Sequence, residues 1–231
     1  MRIGTLGFGI LAVALTVCGA AFADGGGGMS RGGSMDIPQR QMTPEEQAKA
    51  SYNSGVRSVK AADKFEKTAD EAKDEKKKAK ALDRAKKAYE KARGQFAAAV
   101  QRQPQMHEAW NYVGYTSRKL GEYDKALAAY DEALRLSPTY AEAIEYRGEA
   151  YLGLNRIEDA KAAYMQLFQS SRSHADQLMA AMQRWVSERR GDAAGVAPTE
   201  IDSFAQWVDE RTNIARQTAS LATDAAAPRW N

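Results

Sequence analysis

Beyond Thr43, apolar residues recur at steps of three and four along the chain, with charged residues between them. That spacing predicts amphipathic helices. Alanine, lysine, glutamate, glutamine and arginine dominate, and runs of β-branched residues, which would favour strands, are almost absent. The pattern therefore predicts an all-α protein.

The first helical segment begins with a threonine cap, a proline and two glutamates, at residues 43–46. Its residues 60–93 hold 13 basic and 8 acidic side chains. The apolar positions form a stripe rich in alanine: Val59, Ala62, Phe65, Ala69, Ala72, Ala79, Leu82, Ala85, Tyr89, Ala92 and Phe96. Such a stripe is typical of coiled coils. By itself it allows one continuous helix or a hairpin with residues 73–78 at its tip.

An internal repeat follows. Trp110, Gly114, Ala126, Tyr130 and Ala133 are matched 34 residues later by Ile144, Gly148, Ala160, Tyr164 and Leu167. A period of 34 residues with helix–turn–helix content is typical of tetratricopeptide repeats. Residues 107–140 closely resemble this family (TPR), since Val113, Gly121, Tyr123 and Pro138 also occupy its expected positions.

The second copy, residues 141–174, is looser. Asn155 replaces the turn glycine and Arg172 replaces the closing proline. The resemblance implies a solenoid of helical hairpins, in which each pair buries its apolar face against its neighbours.

An incomplete copy precedes these two, in residues 44–106. Ala92, Phe96, Ala99 and Pro104 match the second helix of a repeat, and Gly55 matches the first. Thirty-seven residues separate Gly55 from Ala92, against 12 between Gly114 and Ala126, so 25 are extra. A repeat needs antiparallel helices, which favours an elongated charged hairpin over a single rod.

Two C-terminal segments complete the fold class. Residues 175–191 continue the apolar phase and predict a capping helix, and residues 192–231 predict a linker and a last helix. That helix carries Trp207 in a pattern shared with the helix around Trp185. Two interpretations remain: Trp207 packs on the common core, or its helix is an arm that docks on a partner.

The N-terminus predicts export. Residues 1–23 combine Arg2, an uncharged run and an Ala-Phe-Ala end, which indicates a bacterial signal peptide cleaved after Ala23, and hence a periplasmic protein. An uncleaved membrane anchor and a lipidated Cys18 are the alternatives. Cleavage would remove the only cysteine, and with it any disulfide or thiolate chemistry. Residues 24–43, rich in glycine and methionine, predict a flexible tail, since their methionines are too widely spaced for a copper site.

No catalytic set emerges from the sequence. His107 and His174, the only histidines, lie 67 residues apart. Neither makes a metal-ligand cluster or a catalytic triad. We expect no enzyme, no cofactor and no metal. The charge is nearly balanced, with 33 basic and 30 acidic residues, and gives no case for nucleic acid.

The candidate binding residues lie on the first helix of each repeat, at steps of three and four: Glu108, Asn111, Tyr115 and Arg118, then Glu142, Glu145, Glu149 and Leu152. In TPR proteins this face lines a concave peptide-binding groove, so the resemblance implies the same here. Its acids would suit a basic or polar segment, although an ordinary charged exterior explains them equally well. The donor set that clamps a C-terminal carboxylate in some family members is absent.

These observations predict a non-catalytic adaptor of the bacterial envelope that binds a protein or peptide segment through its groove. The alternative is a structural protein that self-associates through the long hairpin or the Trp207 helix. Membrane association is expected only if the N-terminal segment is retained or lipidated.

Overall fold

The computed structural model describes residues 41–226, with side chains up to residue 218. The predicted signal peptide and residues 24–40 of the predicted tail lie outside this part of the chain. The described residues form eight α-helices and no β-strand: α1 (Pro44–Asp70), α2 (Glu75–Arg102), α3 (His107–Lys119), α4 (Tyr123–Leu136), α5 (Ala141–Gly153), α6 (Ile157–Ser170), α7 (Arg172–Gly191) and α8 (Pro198–Ala226).

Successive helices pair, α1 with α2, α3 with α4, α5 with α6 and α7 with α8, and each pair packs on the next. The first helices α3, α5 and α7 also pack side by side. This is the TPR helical solenoid that the sequence predicts. Residues 157–208 contribute much of the largest apolar core, which includes Tyr164, Leu178 and Phe204.

The charged N-terminal segment folds as a hairpin. Thr43 caps α1 with a reciprocal bond to Glu46, and Asp74 caps α2 by accepting from the Lys77 amide at 2.8 Å. The turn between the helices is residues 71–74, so the charged run 73–78 mostly belongs to α2 and not to the tip. Ser58 and Gln95 join the two helices across the seam at 2.8 Å.

The alanine stripe is correct for α1 and wrong at the start of α2. Val59, Ala62 and Ala69 are buried, but Ala79 is exposed and Leu82 is 47% exposed. Ala81, the residue before Leu82, is buried in its place. From Ala85 to Phe96 the stripe is correct again, so the difference is one step: the buried position before Ala85 lies four residues back and not three.

The two regular pairs meet as the repeat implies. A Cβ added to Gly114 would lie 2.5 Å from the ring of Tyr130, so only glycine lets α3 approach α4 this closely. Leu134, on the far side of α4, packs against the core of the following pair.

Trp207 belongs to the core and not to a detached arm. Its ring lies 5.5 Å from that of Tyr164 and 6.1 Å from that of Phe204. Ile201, Phe204 and Val208 on the same helix are buried. The packing interpretation therefore describes this structure, with α8 as the second helix of a fourth pair.

Candidate functional site

Four tyrosines form a row across α1, α3 and α5. The ring of Tyr52 lies 5.7 Å from that of Tyr112, Tyr112 lies 6.2 Å from Tyr115, and Tyr115 lies 5.2 Å from Tyr146. All four side chains are partly exposed. We call this row, with the helix surfaces that carry it, the tyrosine face.

Two carboxylates border the tyrosine face. Tyr140 donates to Glu142 at 2.6 Å, and Glu108 lies one period earlier on α3, beside His107. Burial raises the pKa of Tyr52 to about 12, and the charges of Glu108 and Glu142 add to the rise. The charges of both carboxylates are therefore felt at Tyr52, and the electrostatic potential is negative at this end of the tyrosine face.

Three of the predicted groove residues are enclosed. Asn111 is fully buried, Glu145 is 3% exposed, and Leu152 belongs to the core against α7. Asn111 and Glu145 line no open groove, which corrects the sequence interpretation, whereas Leu152 lines a cavity beside α7 together with Arg118 and Glu149. The first helices are packed against one another, so positions that a helical projection places outside are covered by the next pair.

Glu145 is the unusual member of this set. Burial raises the pKa of its carboxyl to about 7, the neighbouring Glu149 raises it further, and Arg118 opposes the shift. His174 on α7 faces it at 4.0 Å. A carboxyl in this position titrates near neutral pH and is closed to a partner.

Arg118 and Glu149 neutralise each other. Their side chains are joined at 2.5 Å, and both are largely shielded from solvent. The Arg118 guanidinium also lies over the rings of Tyr115 and Tyr146, at 5.4 and 5.5 Å from their centres. The predicted acidic stripe is thus reduced to Glu108 and Glu142 as its accessible charges.

Comparison with known families agrees with this architecture. One family model, described as a TPR repeat, matches residues 114–155. A second, described as a tetratricopeptide repeat, matches residues 141–174. The chain therefore carries tetratricopeptide repeats. No curated protein matches the chain at a significant level.

The TPR period itself points to the residues that sequence reasoning missed. Tyr112 and Tyr146 are 34 residues apart and follow Asn111 and Glu145 directly. Because they are one repeat length apart, the sequence already indicated that both tyrosines lie on the same face of the solenoid. Tyr52, on α1, completes the row. It lies 60 residues before Tyr112 and outside the 34-residue period, so the sequence pattern does not place it on the same face.

The described residues show neither a metal-ligand cluster nor a membrane-spanning helix. Residues 41–226 contain no group of three or more histidine, cysteine or acidic side chains placed to hold a metal ion. Within the same range, no helix is both long and apolar enough to span a bilayer.

Proposed function

We propose that this protein is a non-catalytic adaptor that holds an extended segment of another protein against the tyrosine face. TPR repeats generally mediate protein–protein interaction. The observation that carries the proposal is the row of four partly exposed tyrosines, since tyrosine is strongly enriched among the residues that dominate binding energy at interfaces.

The charges of the face favour a segment with basic side chains. Glu108 and Glu142 are accessible acceptors at one end of the row, and the nearby Arg118 is already paired with Glu149. A lysine or arginine of the partner would gain from both carboxylates and from the ring faces. Apolar side chains next to it would cover the tyrosines.

We further propose that the adaptor works in the bacterial envelope, after residues 1–23 are removed as a signal peptide. The support is the composition of that segment, with one basic residue, an apolar run and a small-residue end. Intact mass of the protein recovered from a periplasmic fraction tests this. A chain that begins at Asp24 is expected, whereas a chain that retains Met1 would favour a membrane anchor.

Selection of a random peptide library on the immobilised chain tests the binding function. Enriched peptides are expected to combine basic with apolar or aromatic residues. The double variant Glu108→Lys/Glu142→Lys should bind the selected peptides about tenfold or more weakly, at about 1 kcal/mol for each lost charge pair.

The matched control is Asp209→Lys/Glu210→Lys, which makes the same charge change on exposed positions of α8. It should bind the selected peptides as the wild type does. Enrichment of acidic peptides, or an equal loss in both double variants, would remove the tyrosine face from the proposal.

A further inference from the structure

One face of α1 carries mainly basic side chains over most of its length, with Asp63 at its edge. Its residues follow at steps of three and four and are all exposed: Lys49, Asn53, Arg57, Lys60, Lys64 and Lys67. These steps place them on one side of the helix. We call this set the basic stripe; from its first to its last residue it spans about 27 Å.

The two acids in the middle of α1 lie beside the basic stripe and are held by neighbouring helices. Asp63 and Glu66 lie 2.7 and 2.9 Å from the hydroxyl of Tyr89 on α2, which shares its proton between them. Glu66 also accepts from Lys119 on α3 at 2.6 Å. Both carboxylates are therefore occupied by contacts with α2 and α3, and neither forms an ion pair with the basic stripe.

Most of the stripe forms no ion pair within the described part of the chain. Lys67 pairs with Glu71 at 3.8 Å, whereas Lys49, Arg57, Lys60 and Lys64 make no ion pair there. Like charges at these spacings repel one another, so the helix is less stable with them than with mixed charges.

The stripe lies on the positive half of a polarised molecule. Residues 41–102 carry 16 basic and 10 acidic side chains, whereas residues 103–218 carry 13 basic and 17 acidic ones. The near-zero total charge conceals this separation. An anionic surface would therefore attract the α1–α2 hairpin and repel the rest of the array.

The stripe also lacks what a protein interface needs. Among the described residues, the exposed large apolar side chains are Met42, Leu82 and Ile214, and none belongs to the basic stripe. Stable protein interfaces are built around buried aromatic or aliphatic anchors. Adsorption to an anionic bilayer needs only basic side chains near the surface.

We propose that the basic stripe docks the α1–α2 hairpin along the surface of an anionic phospholipid bilayer. Docking does not require residues 1–23 to act as an anchor, and it leaves the tyrosine face free to hold a protein segment. Charge complementarity with the lipid headgroups selects the surface, and the placement of the basic side chains on one side of α1 lets them face it together.

Vesicle flotation with a chain that starts at Asp24 tests the proposal, since every described helix lies after that point. The probes are phosphatidylcholine vesicles, and vesicles in which about a third of the lipid is phosphatidylglycerol. Binding is expected to the anionic vesicles alone. It should disappear in about 1 M salt, where the screening length falls to about 3 Å.

The triple variant Arg57→Glu/Lys60→Glu/Lys64→Glu should lose binding about a hundredfold, at about fivefold for each basic side chain near the surface. The matched control is Arg184→Glu/Arg190→Glu/Arg216→Glu, which makes the same charge change at exposed positions of α7 and α8. Its binding should stay within about twofold of the wild type, because α7 and α8 do not pack on α1 and their charges are screened from the stripe by salt. Circular dichroism checks that both variants are folded.

Equal binding to both vesicle types, or equal loss in both triple variants, would overturn the proposal. Fluorescence anisotropy with labelled polyglutamate provides the competing outcome. If the stripe bound polyglutamate and not the anionic vesicles, an acidic protein segment would replace the bilayer as its partner. Peptide binding at the tyrosine face can be measured on the same triple variant, so the two proposals fail separately.

Discussion

The hairpin α1–α2 and the pair α3–α4 are packed through the same kind of contact, between a glycine and an aromatic ring, which we call the joint. In each, an aromatic ring of the second helix lies on a glycine of the first. A Cβ at Gly55 would come within 2.6 Å of the Phe96 ring, and one at Gly114 within 2.5 Å of the Tyr130 ring. The joint is the same although the helices of the hairpin are about twice as long.

The two regions differ in how they place charge. The hairpin keeps nearly all of its basic side chains on exposed faces, with Arg93 as the exception, whereas the array encloses Glu145 and the Arg118–Glu149 pair between its helices. The joint therefore determines how the two helices of a pair pack, whereas the placement of charged residues differs between the hairpin and the array. Four experiments challenge or refine this comparison.

The largest effect is expected from removing the ring at each joint. Phe96→Ala and Tyr130→Ala should each lower the free energy of unfolding by about 3–5 kcal/mol, because each ring is fully buried. Urea unfolding measures both. A loss below about 1 kcal/mol at only one of the two positions would show that the joints are not equivalent.

A double-mutant cycle sharpens this result. Gly114→Ala should cost about 1–3 kcal/mol in the wild type, because its Cβ would overlap the Tyr130 ring. In the Tyr130→Ala background the cost should vanish, since the space is empty. An unchanged cost in that background would mean that the glycine is needed for another reason.

The second prediction concerns the buried charge of the array. Because the pKa of Glu145 is raised from 4.5 to about 7, the folded protein binds this proton more tightly than the unfolded chain does. Stability should therefore fall as the pH rises from about 4.5 to about 7, and level off above. Glu145→Gln should remove this fall and be more stable than the wild type at about pH 8, by up to about 3 kcal/mol.

Urea midpoints across this pH range measure the effect, with Glu210→Gln as the exposed control on α8. The control should follow the wild-type curve. A Glu145→Gln variant that is less stable than the wild type at about pH 8 would show that a charged Glu145 is stabilised, with Arg118 as the positive charge that opposes the shift.

The third prediction compares the turns of the two regular repeats. Gly121 and Asn155 both have positive φ, 77° and 57°. Gly121→Ala should lower the free energy of unfolding by about 1 kcal/mol through backbone strain alone, because its Cβ would meet no neighbouring atom.

Asn155→Gly should cost less than Asn155→Ala, since glycine suits this conformation and only the side-chain hydrogen bonds of Asn155 are lost. Asn155→Ala should cost at least as much as Gly121→Ala, because it also removes the acceptor of the Arg189 Nε bond at 3.2 Å. Thermal unfolding of the three variants ranks them, and an Asn155→Ala variant as stable as the wild type would contradict the strain argument.

The smallest effect is expected at the start of α2. Leu82→Gln should change stability by less than about 0.5 kcal/mol, because the side chain is about half exposed. Ala81→Gln, the neighbouring buried position, should cost about 1–3 kcal/mol through overpacking. The opposite ranking would mean that Leu82 and not Ala81 is the buried position, as the sequence pattern predicts.

Most of the fold could be predicted from the sequence because it rests on local signals. The 34-residue period located α3 to α6, and the 25 extra residues between Gly55 and Ala92 indicated the long hairpin. Asn155 was correctly predicted to replace the turn glycine. The candidate site was predicted less well, because burial of Asn111 and Leu152 depends on the neighbouring pair.

The sequence by itself determined the helices, their pairing and the glycine–aromatic joints, since these follow from short-range propensity and from a fixed repeat length. Only the tertiary structure decided which acids remain accessible, that Tyr52 joins Tyr112 and Tyr146, and that Asp63 and Glu66 of α1 accept from Tyr89 of α2. These outcomes depend on contacts between helices distant in the chain, and no periodicity within one helix records what packs against it.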